Sequence, residues 1–300
     1  MKVNEAPTTE MLSTANAPSQ ARKKFRKIPP TLIVGSILAL VAILIALLGG
    51  VISGASPDGQ SLEHKLTPPG VDGFILGSDL LGRDMLARVA QGIWWSLPVG
   101  ITAATIAVAV GVLFGLLAGW STGILRRVIN QVVDVSIAFP YMVLAILLIA
   151  ILGRGFWPMV LSLGLIAWVS VTKIVYTEVL SLTTRQYILS ARLQGIPVYW
   201  ILASYVFRAV RARIIVAYAF MFANLLVAEA SLSFLGLGAP VGFPSWGSML
   251  RDSREYLDSA PWLMLVPGGM VVLVVLAANL IGDGLIRWFR ISGGGQVSNG

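Results

Sequence analysis

The sequence predicts an all-α integral membrane protein with six transmembrane helices, and three observations carry that prediction. The 300-residue chain is 56% hydrophobic and only 12% charged, whereas a soluble domain carries about 25% charged residues. Several apolar runs reach the ~20 residues needed to cross a bilayer. The arginines and lysines lie mostly in short segments between those runs, and their asymmetry sets orientation in a membrane.

The elements follow in order. Residues 1–30 are polar, rich in Ala, Thr, Ser and Pro, and carry the cluster Arg22, Lys23, Lys24, Arg26, Lys27. This composition predicts a disordered tail whose basic end flanks the first span on the cytoplasmic side. The order of charge then apolar run also fits a signal peptide. The tail is long, however, and no clear small-residue cleavage site follows, so an uncleaved anchor is expected. The first span is placed at 32–52. The segment after it, with Pro57, Pro68, Pro69 and several glycines, is too polar to cross. Further spans are placed at 96–120, 132–152, 157–175, 214–232 and 262–286. A long, mixed, basic stretch at 176–213 separates the fourth from the fifth. The predicted organisation is therefore a tail at 1–30, a first span with its outer segment at 31–95, a five-helix core at 96–287 containing the inner loop 176–213, and a second tail at 288–300.

With the N-terminus inside, the inner face holds the basic tail, Arg126, Arg127, Lys173, Arg185, Arg192, Arg208, Arg211, Arg213, Arg287 and Arg290. The outer face holds Lys65, Arg83, Arg88, Arg154, Arg251 and Arg254 beside many acids. Both termini are thus expected in the cytoplasm. A net charge of +8 spread over short loops does not point to nucleic acid. There is no cysteine and His64 is the only histidine, so thiol chemistry, disulfides and a histidine-cluster metal site are excluded. No Gly-x-x-x-x-Gly-Lys-Ser/Thr phosphate loop occurs, and the glycine run at 293–295 lacks the lysine. No catalytic residue and no metal ligand set stands out.

Several residues ask for a role. Asn224, Glu229 and Asn279 sit within apolar runs, where a polar group must face protein or water. For the asparagines, interhelical hydrogen bonds are the plain reading. Glu229 has two readings: lining a pathway, or locking the fifth span to the loop after it. Asp134 lies near Arg126 and Arg127, which suggests a local ion pair or stabilisation of a helix N-terminus. Pro140 and Pro267 are kink candidates, and Gly111, Gly115 and Gly119 form a small-residue seam for close helix packing. In the outer segment, Asp84 and Arg88 are four apart and positioned to pair on a helix.

The run from Glu229 through Phe234 and Gly238 to Pro244, Trp246 and Gly247, followed by Asn279, Asp283 and Leu285, resembles the C-terminal part of the permeases of peptide-type ABC importers. Asp79, Gly82, Arg83, Asp84 and Arg88 are similar to that family's outer Gly-Arg-Asp signature, with Ser78 where threonine is usual. Their plain role is to cap and anchor a juxtamembrane helix. Arg185, Tyr187, Ser190, Ala191, Arg192 and Gly195 resemble its EAA loop, a short helix that docks into the ATPase subunit. Leu189 stands where glutamate is usual, and Tyr205 and Arg208 where this branch often has His and Pro. Without the resemblance, that loop reads equally as an amphipathic helix on the inner membrane surface.

The family is the peptide/nickel ABC importer permeases, C-type subunit. The resemblance implies the type I ABC importer permease fold in a bacterial cytoplasmic (inner) membrane. It implies a homologous second permease, two ATPase subunits that hold ATP and Mg, and an extracytoplasmic solute-binding protein. No cofactor is expected on this chain. Peptides are the usual solute, and nickel chelates, opines and sugars use related permeases. The rival classes are an ion-coupled transporter, which would show more buried ionisable groups than Glu229, and a membrane protein without transport.

Overall fold

The computed structural model describes residues 28–240 and 242–293, with side chains to Phe289. The basic cluster at 22–27 and the end of the second tail, from 294, lie outside the described residues. Among the described residues the regular structure is helical, with two isolated β-bridges in the outer segment, Val71 to Phe74 and Ser78 to Asp84.

Five stretches are long and apolar enough to cross a membrane: α1 (Pro30–Ser53), α2 (Met85–Trp120), α5 (Phe156–Thr183), the run Val198–Phe234, and α10, which crosses over Trp262–Phe289 and extends to Gly293. A sixth hydrophobic segment is broken. The span expected at 132–152 is two helices, α3 (Ile124–Ala138) and α4 (Tyr141–Leu152), bent by 90°. The cause is Pro140, which disfavours helical backbone at the residue before it. Phe139 is accordingly extended, at φ −93° and ψ 137°. Pro267, the other kink candidate, lies inside a helix that continues through it.

Other boundaries moved for equally local reasons. The second helix begins eleven residues before the expected 96. Asp84, just ahead of it, is its N-cap and accepts the Ala87 N–H at 2.8 Å, a bond that starts a helix even in polar sequence. The basic stretch 176–213 is mostly helix rather than loop: α5 continues to Thr183, α6 is Gln186–Leu193, α7 is Val198–Ile201, and a π-turn at Leu202–Val206 leads into α8 (Phe207–Phe234). A short helix, α9 (Trp246–Ser253), follows the α8 turn. It opens with a reciprocal Ser245–Ser248 capping box.

α2 and α5 form the central pair. The glycine seam makes their approach possible: a Cβ on Gly111, Gly115 or Gly119 would lie 2.5, 2.6 or 2.5 Å from the Cβ of Val171, Val175 or Val179. Thr172 Oγ1 crosses the seam to the Gly111 carbonyl at 3.3 Å. α8 and α10 pack beside this pair, and α1 packs on the outside against α10, where Gly35 meets the Ala277–Ile281 backbone. Three buried clusters result. One joins α2, α4, α5 and α8. A second joins α1, α2, α9 and α10 around Trp246. A third lies at the α6 end, joining α5, α6 and the start of α8.

Candidate functional site: helix α6, the α5–α8 face and the Glu229 lock

α6 is short because its sequence ends it. Gly195 sits at φ +72°, the left-handed conformation that glycine adopts without a Cβ penalty. The N–H groups of Gln194, Gly195 and Ile196 close on the carbonyls of Ser190, Arg192 and Ala191, and Pro197 bars further helix. Ile188 and Ala191 are buried against Val179, Leu182, Ile201 and Val206. The opposite face is open: Tyr187, Leu189, Ser190 and Arg192 are exposed, and Leu193 is 89% exposed. The Arg192 guanidinium lies 4.0 Å over the Trp120 ring, so it ties α6 to the end of α2. Arg185 is the N-cap residue of α6, without a side-chain cap bond. Tyr187, Tyr205 and Arg208 line one cavity of about 430 Å³ between α6 and α8. The family departures Tyr205 and Arg208 therefore stand beside α6.

Above α6, α5 and α8 share a face with two cavities, of about 780 and 520 Å³. Ser170, Met221 and Asn224 line both. Asn224 is exposed there, whereas Asn279 is half-buried on α10 and lines neither. At the α6 end of the larger cavity, Arg213 and Glu178 form an ion pair. Sequence reasoning missed Ser170, Glu178 and Arg213. The available signal was Glu178, a single acid within a basic stretch. Asp134 pairs with Lys173 at 3.2 Å rather than with Arg126 or Arg127. The α3 turn puts Asp134 against α5, while Arg126 reaches back to the Ala118 and Gly119 carbonyls at the α2 C-terminus, where a cation is favoured.

At the other end Glu229 is fully buried and lines neither cavity. Ser233, one turn on, donates to its Oε1 at 2.7 Å. The Ser96 hydroxyl and Trp95 indole N–H of α2 lie beside the same carboxyl. Yet Glu229 Oε2, Ser96 Oγ and Trp95 Nε1 each lack a hydrogen bond of ordinary geometry. The α8 end then turns through Gly236, at φ +84°. Gly247 brings α9 so close that a Cβ there would lie 2.3 Å from the Ala230 carbonyl. Trp246, with no exposed surface, donates from Nε1 to the Val89 carbonyl of α2 at 3.0 Å. Trp246 was visible in the sequence as a motif; its partner on α2, far away in the chain, was not.

The outer signature folds as a turn ahead of α2. Asp79 Oδ1 accepts the Leu81 and Arg83 N–H groups, and Oδ2 accepts Arg83 Nε at 2.6 Å. Gly82, at φ +70°, lies against the Ser61 carbonyl so closely that no Cβ fits. The expected Asp84–Arg88 pair does not form. Asp84 is occupied as the N-cap, and Arg88 Nε approaches Asp79 Oδ2 at 3.5 Å instead. No group of three or more metal-ligating side chains occurs among the described residues.

Comparison with known proteins agrees with this architecture. Residues 111–291 match the family of binding-protein-dependent transport system inner membrane components. A dipeptide transport system permease protein of Alkalihalophilus pseudofirmus is 34% identical over 280 residues, covering 93% of this chain and 92% of that protein. A di/tripeptide transport system permease protein of Pseudomonas aeruginosa is 33% identical over 256 residues, 84% of each chain. An oligopeptide transport system permease protein of Bacillus subtilis is 29% identical over 252 residues, 84% of this chain and 82% of that one. With helices fit to cross a bilayer and this match over more than half its length, the chain belongs to the family of binding-protein-dependent transport system inner membrane components.

Proposed function

We propose that this ABC importer permease subunit carries di- or oligopeptides, delivered from outside by a solute-binding protein, along the α5–α8 face. The relatives named for peptide transport support the solute class. One observation carries the mechanism. α6 is seated directly beneath α5 and α8, the helices whose shared face holds both cavities. A displacement of α6 therefore reaches the cavity walls through packed side chains, as a two-state transport cycle requires. ATP and Mg belong to two ATPase subunits gripping the open face of α6. A homologous permease closes the α5–α8 face into a pathway. Asn224 and Ser170 are the polar groups of this chain on that path, while Glu229 holds α8 to α2.

Two experiments test this. Gly195→Asp adds a Cβ at positive φ, costing about 1 kcal/mol or more, and a carboxylate beside the docking face. Nothing lies within 4 Å of that Cβ, so the spans should stay intact. The expected result is a stable permease pair that no longer copurifies with ATPase subunits, or does so without peptide uptake. Normal uptake would make α6 only a membrane-surface helix. Separately, reporter fusions should place Ser181 in the cytoplasm and Asp252 outside. The reverse would overturn the orientation, and with it the direction of transport.

A further inference from the structure

The end of the bundle away from α6 holds an electrostatic imbalance. Two adjoining cavities, of about 290 and 190 Å³, share Arg83, Arg88 and Asp252; Arg154 and Arg251 line the smaller and Asp79 the larger. Four guanidinium groups thus line the cavities beside two carboxylates, and Asp58 is a third carboxylate close enough to act on Arg88. Both lining carboxylates are already engaged: Asp79 with Arg83 at 2.6 Å, and Asp252 with Arg251 at 3.0 Å. Asp84 is committed to the N-cap of α2.

Arg88 is the group that matters: Asp79, Asp58 and Asp252 lie near enough to act on it, yet its fork is not filled. Its side chain is 7% exposed, and Nη1 is buried without a hydrogen-bond partner. Its one ion-pair contact is a 3.5 Å approach to a carboxylate that Arg83 already holds. It also stands in the first turns of α2, where the helix dipole disfavours a cation. A buried guanidinium in this position calls for an anion. Arg154 lines the smaller cavity without an ion pair among the described residues, on a loop between Gly153 and Gly155 at φ +86° and +145°.

We propose that these cavities form a carboxylate-binding subsite at the outer mouth, with Arg88 as its buried anchor and Arg154 as its exposed clamp. A carboxylate fits the planar fork of a guanidinium through two parallel hydrogen bonds. The position argues against a lipid phosphate. With Trp120 taken as one boundary of the hydrocarbon layer, twenty residues of α2 span its ~30 Å. Arg88 lies twelve residues further, roughly 18 Å, beyond a headgroup layer of about 5–8 Å. A carboxylate reaching it from the aqueous side comes either from the free C-terminus of the solute or from an acidic side chain on the docked binding protein.

The test uses the assembled transporter in lipid nanodiscs, without binding protein, titrated calorimetrically with dialanine and with its C-terminal amide. Dialanine should bind at least tenfold more tightly than the amide. Arg154→Gln should weaken dialanine tenfold, and Arg88→Gln should abolish its binding. Arg154 is exposed on a loop, so its variant stays informative if Arg88→Gln fails to assemble. The second arm measures the affinity of the binding protein for the same complexes. A tenfold loss on Arg154→Gln, with no dialanine binding, assigns the carboxylate to the docked protein. Equal responses to dialanine and amide, together with docking unchanged by Arg154→Gln, overturn the subsite. This second arm rests on the importer reading, and wild-type complex that binds no such protein would fail that reading before any variant is compared.

Discussion

Replacing Gly115 with valine should abolish assembly of the permease. The Gly115 Cβ would lie 2.6 Å from Val175 Cβ and 3.0 Å from the Thr172 carbonyl. Neither neighbour can yield: one is a β-branched side chain at its root, the other is helix backbone. The two helices must separate, and the packing that Gly111 and Gly119 permit on either side is lost with them. Overpacking a tight core costs about 1–3 kcal/mol, occasionally more, and here the strain sits in the central helix pair. Protease resistance and monodisperse recovery in detergent are the measurements. Gly50→Ala, on α1 with nothing within 4 Å of the new Cβ, is the matched control and should recover as wild type. A Gly115→Val protein recovered at the control's level would mean that α2 and α5 do not cross at this seam.

Substitutions of Glu229 should separate shape from charge. Leucine there leaves the Ser233 hydroxyl without its 2.7 Å acceptor, beside Ser96 Oγ and Trp95 Nε1, which already lack good partners. Unsatisfied buried polar groups cost about 1–3 kcal/mol each, so Glu229→Leu should lose most assembled complex. Glutamine retains an acceptor for Ser233 and offers a donor where Oε2 stands. If Glu229 serves as a lock, Glu229→Gln should assemble and transport at close to the wild-type rate. Assembly of both variants with loss of uptake in both would instead make the charge part of the transport step. Wild-type uptake by Glu229→Leu would remove both roles.

The fold class was legible because a bilayer imposes long apolar runs, and those runs are visible one residue at a time. Helix ends were less so. Asp84 starts a helix eleven residues before apolar sequence begins, and one proline divides a run that composition alone joins. The signal in each case is a single residue, weak beside the hydropathy of its neighbours. The site was partly legible for the same reason. Gly195 and Trp246 stand out in sequence. The α5–α8 face does not, because Ser170, Glu178 and Arg213 become related only when two helices far apart in the chain are packed. The Asp84–Arg88 pair failed because spacing along a helix says nothing of a competing demand, here the capping of that same helix.

The continuity of Val198–Phe234 through its π-turn has a mechanical consequence. These 37 residues form one unbroken stretch, about 55 Å long at helical rise. It begins beside α6 and ends at Phe234, about one turn past Glu229 and one residue past Ser233. On the transport reading proposed above, such a rod would act as a lever. Held at one end by Trp246, Gly247 and the buried carboxylate, it has its fulcrum there, so a push at the α6 end swings the middle of the rod, where Asn224 and Met221 face the cavities. The close packing at this end then serves motion rather than resisting it: a firm pivot lets a thrust at the far end reach the cavity wall as a smaller, directed swing. Loosening that pivot would leave the thrust intact and the cavity wall unmoved.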